Sequence, residues 1–141
     1  MNNLSTHNCK QELKEHSLKT TPVRLKILNI LEKESSPLDA KTIFDYLSKQ
    51  KLNVDFTTVF RTINSFVDKG LIKPVDFSEG KKRFEYGLKP EHHHLICEKC
   101  KTVEDISDCN IKKLEKEISK KKKFIIKKHA LEFFGLCKNC N

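Results

Sequence analysis

Apolar residues recur at helical spacing through the first half of the chain. In KTTPVRLKILNILEKES, residues Val23, Ile27, Leu28, Ile30 and Leu31 fall on one face. Thr21 is placed to cap this helix, and Pro22 sits where its missing N–H costs nothing. A shorter helix is expected before it at Gln11–Leu18. PLDAKTIFDYLSKQ continues the pattern with Leu38, Ile43, Phe44 and Leu47. DFTTVFRTINSFVDKG adds a stripe of Val59, Ile63, Phe66 and Val67 and stops at Gly70. LIKPVDF and KRFEYGL, separated by a turn at Ser78–Lys82, then read as a hairpin. A helical trio followed by a hairpin is a winged helix. The outer face of its last helix carries Thr58, Arg61 and Ser65. Small hydroxyls beside one arginine suit a helix lying in a major groove.

After Leu88 the pattern changes. HHLIC and TVEDI predict strands around a Cys-x-x-Cys knuckle. Ile111–Lys123 predicts an amphipathic helix with Ile111, Leu114 and Ile118 inward. FIIKKHALEFFGLC predicts β structure. The expected class is α+β: a winged-helix domain over 1–84, then a small α/β domain over 85–141.

Net charge narrows the partners. The chain has 141 residues and a formal charge of +9, which favours a polyanion such as nucleic acid. The excess is uneven. Residues 1–80 hold 12 basic and 10 acidic side chains, net +2, which leaves +7 for residues 81–141. Charge alone therefore does not locate the nucleic-acid surface. The N-terminal stretch lacks the apolar segment of a secretory signal, and no apolar run is long enough to span a membrane. A cytoplasmic protein without a membrane partner is expected. His7 and His16 read as surface histidines.

Six cysteines occur, at positions 9, 97, 100, 109, 137 and 140. In a reducing compartment, two Cys-x-x-Cys pairs indicate metal more than disulfides. Cys97, Cys100, Cys137 and Cys140 would close a tetrahedral zinc site that leaves no position open for catalysis. The stretch EHHHLICEKC also carries three histidines. Strand alternation sends His92 and His94 to one face and His93 to the other. With Glu85 before them and Asp105 after, these are mixed imidazole and carboxylate donors, which suit zinc, iron or manganese. Nothing resembles a substrate cleft, so neither an enzyme nor a small-molecule substrate is expected. A structural zinc-ribbon interaction module is the alternative of a different class.

The segments LKTTPVRLKIL, TTVFRTINSFVDKGLI, HHHLICEKC, VEDI and HALEFFGLCKNC together resemble the ferric uptake regulator family of metal-dependent repressors, in order and over nearly the whole chain. The resemblance implies a homodimer that binds a double-stranded DNA operator and controls metal uptake or homeostasis. It implies a structural Cys₄ zinc and a regulatory Fe²⁺, Zn²⁺ or Mn²⁺ near a hinge. By position, Glu85, His92, His94 and Asp105 match the regulatory ligands. His93 and His129 match a further site, at which Glu91 stands where histidine is frequent. Lys19, Thr57, Thr58 and Arg61 become the DNA-contact candidates, and Phe60 stands where tyrosine is common.

The chain departs from the family pattern at several positions. Pro37 occupies the place of a histidine that ties the DNA-binding domain to the regulatory metal. Lys112 stands where the further site commonly has glutamate. Asp105 resembles the peroxide-sensing branch, which together with zinc uptake is the alternative within the family. Cys109 is a candidate extra ligand, and Cys9 is expected to be a free thiol.

Overall fold

The computed structural model describes residues 8–107 and 109–141; His7 lies outside them. The chain forms two compact units, Met1–Lys89 and Pro90–Asn141. A division after residue 84 would cut a strand that continues to Tyr86.

In the first unit, α1 (Cys9–Glu15) is capped by Asn8, whose side chain accepts from the Gln11 N–H. It starts and ends earlier than expected, and Ser17 follows it in a left-handed conformation. Helix α2 (Pro22–Lys33) has Thr21 as N-cap and buries Ile27, Leu28, Ile30 and Leu31. A two-residue strand, β1 (Leu38–Asp39), leads into α3 (Ala40–Lys49). Helix α4 (Phe56–Asp68) buries Val59, Thr62, Ile63 and Phe66, and the chain leaves it through Gly70 at φ 75°. Strands β2 (Ile72–Asp76) and β3 (Lys82–Tyr86) form the wing. The sheet order is β1-β3-β2, antiparallel throughout.

The helical stripes meet in one core that includes Leu13, Ile27, Ile43, Ile63, Phe66 and Phe84. Pro37 is fully buried, and its side chain offers no metal-ligating atom. At the buried end of β3, the Tyr86 hydroxyl donates to Glu12 at 2.9 Å. Gly87 follows, with its N–H on the Leu71 carbonyl at 2.8 Å. A Cβ there would lie 2.6 Å from the same oxygen, so the close approach requires glycine.

The second unit is a three-stranded sheet with one helix. Its strands are β4 (His93–Cys97), β5 (Val103–Ile106) and β6 (Glu132–Gly135), in the order β5-β4-β6. β4 runs antiparallel to β5 and parallel to β6. Only residues 132–135 of the expected β-rich tail form a strand. Helix α5 (Ile111–Lys122) buries no residue. Leu114 is 50% exposed and Ile118 41% exposed, so the stripe expected to face inward is open. It lines a groove with Phe124, Ile125 and Ile126.

One polar contact ties the wing to a helix start. Asp39, the N-cap of α3, accepts from the Thr42 N–H at 2.7 Å and from Lys81 at 2.5 Å. Burial pushes the Asp39 carboxyl up, but the bonds from Lys81 and Thr42 outweigh it and hold it at about 2. A carboxyl held low stabilises the fold above the usual aspartate range, and the contribution is lost as pH falls through the folded value. Asp39→Ala is expected to cost about 1 kcal/mol at neutral pH, as for other lost N-caps. The gap to wild type should narrow between about pH 4 and pH 2 in thermal melts.

Candidate metal centres and nucleic-acid interface

The tightest donor cluster is built on two turns. Cys97 ends β4, and Cys100 follows in the turn closed by the Lys101 N–H to the Cys97 carbonyl. Cys137 and Cys140 lie in a matching turn after β6, with the Cys140 N–H on the Cys137 carbonyl at 3.0 Å. Parallel pairing of β4 with β6 sets Cys97 opposite Gly135 and brings the turns together. The four sulfurs lie within 4.8 Å of one another, with Cys100 and Cys137 3.7 Å apart. None is in a disulfide. Zinc bonds of about 2.3 Å in a tetrahedron put sulfurs about 3.8 Å apart, so these residues fit zinc. The Cys97 sulfur accepts from the N–H groups of Cys100 and Cys137. Those bonds lower its pKa well below the ordinary thiol value. The Cys137 sulfur raises the pKa of Cys140.

The histidines divide across β4. His94 pairs in register with Asp105 on β5, and His94 Nε2 lies 3.8 Å from the carboxylate. The His92 ring packs edge-on against His94, with centroids 4.9 Å apart. His92 Nδ1 is 2.7 Å from the Pro90 carbonyl, the kind of backbone bond that fixes the orientation of an imidazole ring. Glu85 belongs to the first unit, where it is buried on β3. On the opposite face of β4, His93 Nε2 and His129 Nε2 are 2.8 Å apart, and Glu91 is 3.5 Å from His129 Nε2. Glu91, His93 and His129 form a second donor cluster. Burial, then the neighbouring His129, lowers the His93 pKa, which favours the neutral ligand form.

Lys112 is exposed on α5. The carboxylate that reaches the second cluster is Glu115, one turn further on, 2.6 Å from His129 Nδ1. Sequence reading misses Glu115. The available signal is its i+3 spacing from Lys112, which keeps it on the same face. Among the described residues, no donor cluster includes Cys109. The Cys9 thiol donates to Glu32 at 3.3 Å within the winged helix. Burial, followed by that bond, pushes its pKa up to about 12.

On the first unit, Asp55 caps α4 through the Thr58 N–H at 2.7 Å. Thr57, Thr58 and Arg61 are exposed along the outer face of that helix, and Ser65 is half-buried. Phe56 and Phe60 lie beside them, each 45% exposed, with rings stacked 6.2 Å apart. Phe56 is another residue that the sequence pattern does not single out. Lys19 is exposed in the α1–α2 connection, where its carbonyl accepts from Arg24 at 2.9 Å.

A winged helix joined to a unit rich in thiolate, imidazole and carboxylate donors defines a metal-responsive transcriptional regulator. The chain belongs to the ferric uptake regulator family, whose sequence profile matches residues 15–134. It is 35% identical over 130 residues to the ferric uptake regulation protein of Bordetella parapertussis, covering 92% of this chain and 94% of that protein. The crystal structure of the Vibrio cholerae ferric uptake regulator superposes with a TM-score of 0.80 at 34% identity, covering 92% of this chain and 100% of that one. A zinc-bound manganese uptake regulator gives 0.78 at 30% identity, covering 92% and 99%. Among the described residues, no helix is long and apolar enough to cross a membrane.

The Cys₄ geometry leads to a direct test. Cys137→Ser is expected to lose the tightly held zinc. Structural zinc contributes on the order of 10 kcal/mol in small domains, so the second unit should melt with it. Metal content after dialysis, read beside circular dichroism, checks this; a stable, zinc-loaded Cys137→Ser protein would refute the four-cysteine assignment.

Proposed function

We propose that the chain is a homodimeric, cytoplasmic repressor whose grip on a double-stranded DNA operator depends on an exchangeable divalent metal. In this reading His92, His94 and Asp105 hold the sensing ion, and Glu85 enters through the family resemblance. His93 and His129, with Glu91, hold a further ion, while the four cysteines keep zinc as a fixed structural element. The observation that carries the reading is the sorting of three consecutive histidines. Neighbours on one strand face opposite ways, and each face finds its own partners. Imidazole and carboxylate donors suit exchangeable Fe²⁺, Zn²⁺ or Mn²⁺ far better than a set of four thiolates does.

A second copy of the chain is supported by the open apolar stripe. Leu114, Ile118, Phe124 and Ile125 line one groove and are each at least 41% exposed. Contiguous apolar surface of that kind marks an interface. Symmetric dimers place two reading helices on two half-sites of a palindromic operator. On α4, Arg61 and the hydroxyls of Thr57 and Thr58 are the base-reading candidates, with Lys19 supplying a charge.

Two measurements test this. Arg61→Ala is expected to weaken binding to a cognate operator by roughly 1–3 kcal/mol, with little change on unrelated DNA, if the guanidinium reads a base. Equal losses on all sequences would reduce Arg61 to a phosphate contact. For the switch, metal is expected to raise operator affinity by about 1–2 kcal/mol, at the low end for allosteric coupling, because Pro37 supplies no ligand. His94→Ala should abolish that response while leaving the zinc and the dimer intact. An operator affinity indifferent to Fe²⁺, Mn²⁺ and added Zn²⁺ in the wild-type protein would end the sensor reading.

A further inference from the structure

Glu115 is not a member of the Glu91–His93–His129 cluster, yet it makes the shortest contact to it. Its carboxylate lies 2.6 Å from His129 Nδ1, on the ring nitrogen turned away from the cluster. A carboxylate can only accept, so Nδ1 carries the proton. In the neutral ring Nε2 is then a bare lone pair. That lone pair faces His93 Nε2 at 2.8 Å and Glu91 at 3.5 Å. The contact between the two Nε2 atoms therefore needs its proton on His93. His93 Nδ1 is left as the acceptor nitrogen, and it is buried with no hydrogen-bond partner among the described residues. The two imidazoles are thus unequally prepared. His129 already presents a lone pair to the cluster, whereas His93 presents an N–H.

We infer that Glu115 is the positioning residue of this second site: it fixes His129 in the Nδ1–H tautomer and makes it the anchoring metal ligand, replacing from one turn further along α5 the carboxylate that Lys112 cannot supply. The inference rests on the reading of Glu91, His93 and His129 as a metal site. The donors fit a small divalent ion. Two nitrogens around a tetrahedral ion with bonds of about 2.0–2.1 Å stand about 3.3 Å apart, so the 2.8 Å pair must open by only about half an ångström. Binding through His93 Nε2 moves its one ring proton to Nδ1, so that the ligand stays a neutral imidazole. A new Nδ1–H would point into a buried spot without an acceptor, so His93 is the reluctant ligand. A site with one prepared and one unprepared histidine binds more weakly than a site with two. It is suited to an ion that exchanges.

The experiment uses the full dimer with its cysteine-bound zinc retained and Co²⁺ as the probe. Affinity is read by competition with a chromophoric chelator in a His94→Ala background, where the proposed sensing site takes up no Co²⁺, and the tautomers by ¹⁵N chemical shifts of the imidazoles before metal is added. The wild-type protein should show His129 protonated at Nδ1 and His93 at Nε2. Glu115→Ala should lose the His129 preference and bind Co²⁺ roughly 10- to 100-fold more weakly, the usual cost of removing such an outer partner. Glu115→Gln, whose amide oxygen can still accept, should recover the tautomer and part of the affinity. Lys112→Ala should leave both unchanged. Tautomer shifts separate this role from a merely structural one, because a packing defect would not move a proton between ring nitrogens. If His129→Ala abolishes the Co²⁺ site while Glu115→Ala binds as wild type does, Glu115 has no part in it and the inference fails. If His129→Ala leaves Co²⁺ binding unchanged, the site itself is wrongly placed and the inference goes with it.

Discussion

The parallel pairing of β4 with β6 is the constraint on which the second unit depends. Parallel strands cannot be joined by a tight turn. Here 36 residues separate Cys100 from Cys137, and they include α5. Closing so long a connection costs entropy that local contacts do not return. The apolar core of this unit is thin: Ile96, Cys97 and Val103 are its buried apolar residues among those described. Four thiolates converging on one zinc ion would supply what that core lacks. With β4 held in register, its histidines acquire fixed directions, and the donors on both faces meet their partners.

The winged helix is held differently. Its stripes of Val, Ile, Leu and Phe bury one another without any metal. Its polar contacts serve to aim elements, as Asp39 does for the wing and Asp55 does for α4. The two units therefore respond to different insults. Chelation attacks the second directly, while loss of core volume or of a helix cap attacks the first.

Much of this architecture is legible in the sequence because it is periodic or spaced. The stripes of α2 and α4, the cap at Thr21 and the two cysteine pairs are local signals, and the opposite facing of His93 and His94 follows from the two-residue repeat of a strand. What is not legible depends on distant partners. β1 is only Leu38 and Asp39, and it exists because Phe84 and Arg83 lie opposite them. Periodicity makes α5 amphipathic without saying what covers Leu114 and Ile118, so the inward assignment fails within a single chain. Glu115 is likewise invisible until the loop before β6 brings His129 over α5. The missing histidine at Pro37 can be read directly; its burial at that position cannot.

The placement of the cysteine pairs also orders events during synthesis. Cys97 and Cys100 are made first, and the ribosome must add 36 more residues before Cys137 appears. At about 5–20 residues per second, that interval is roughly 2–7 s. Throughout it β4 exists without β6, and two thiols lack the other half of their cluster. The winged helix, complete by residue 89, can already have folded by then. The nascent chain thus passes through a stage in which the winged helix precedes any complete set of metal donors, with one half of the four-cysteine cluster made well before the other.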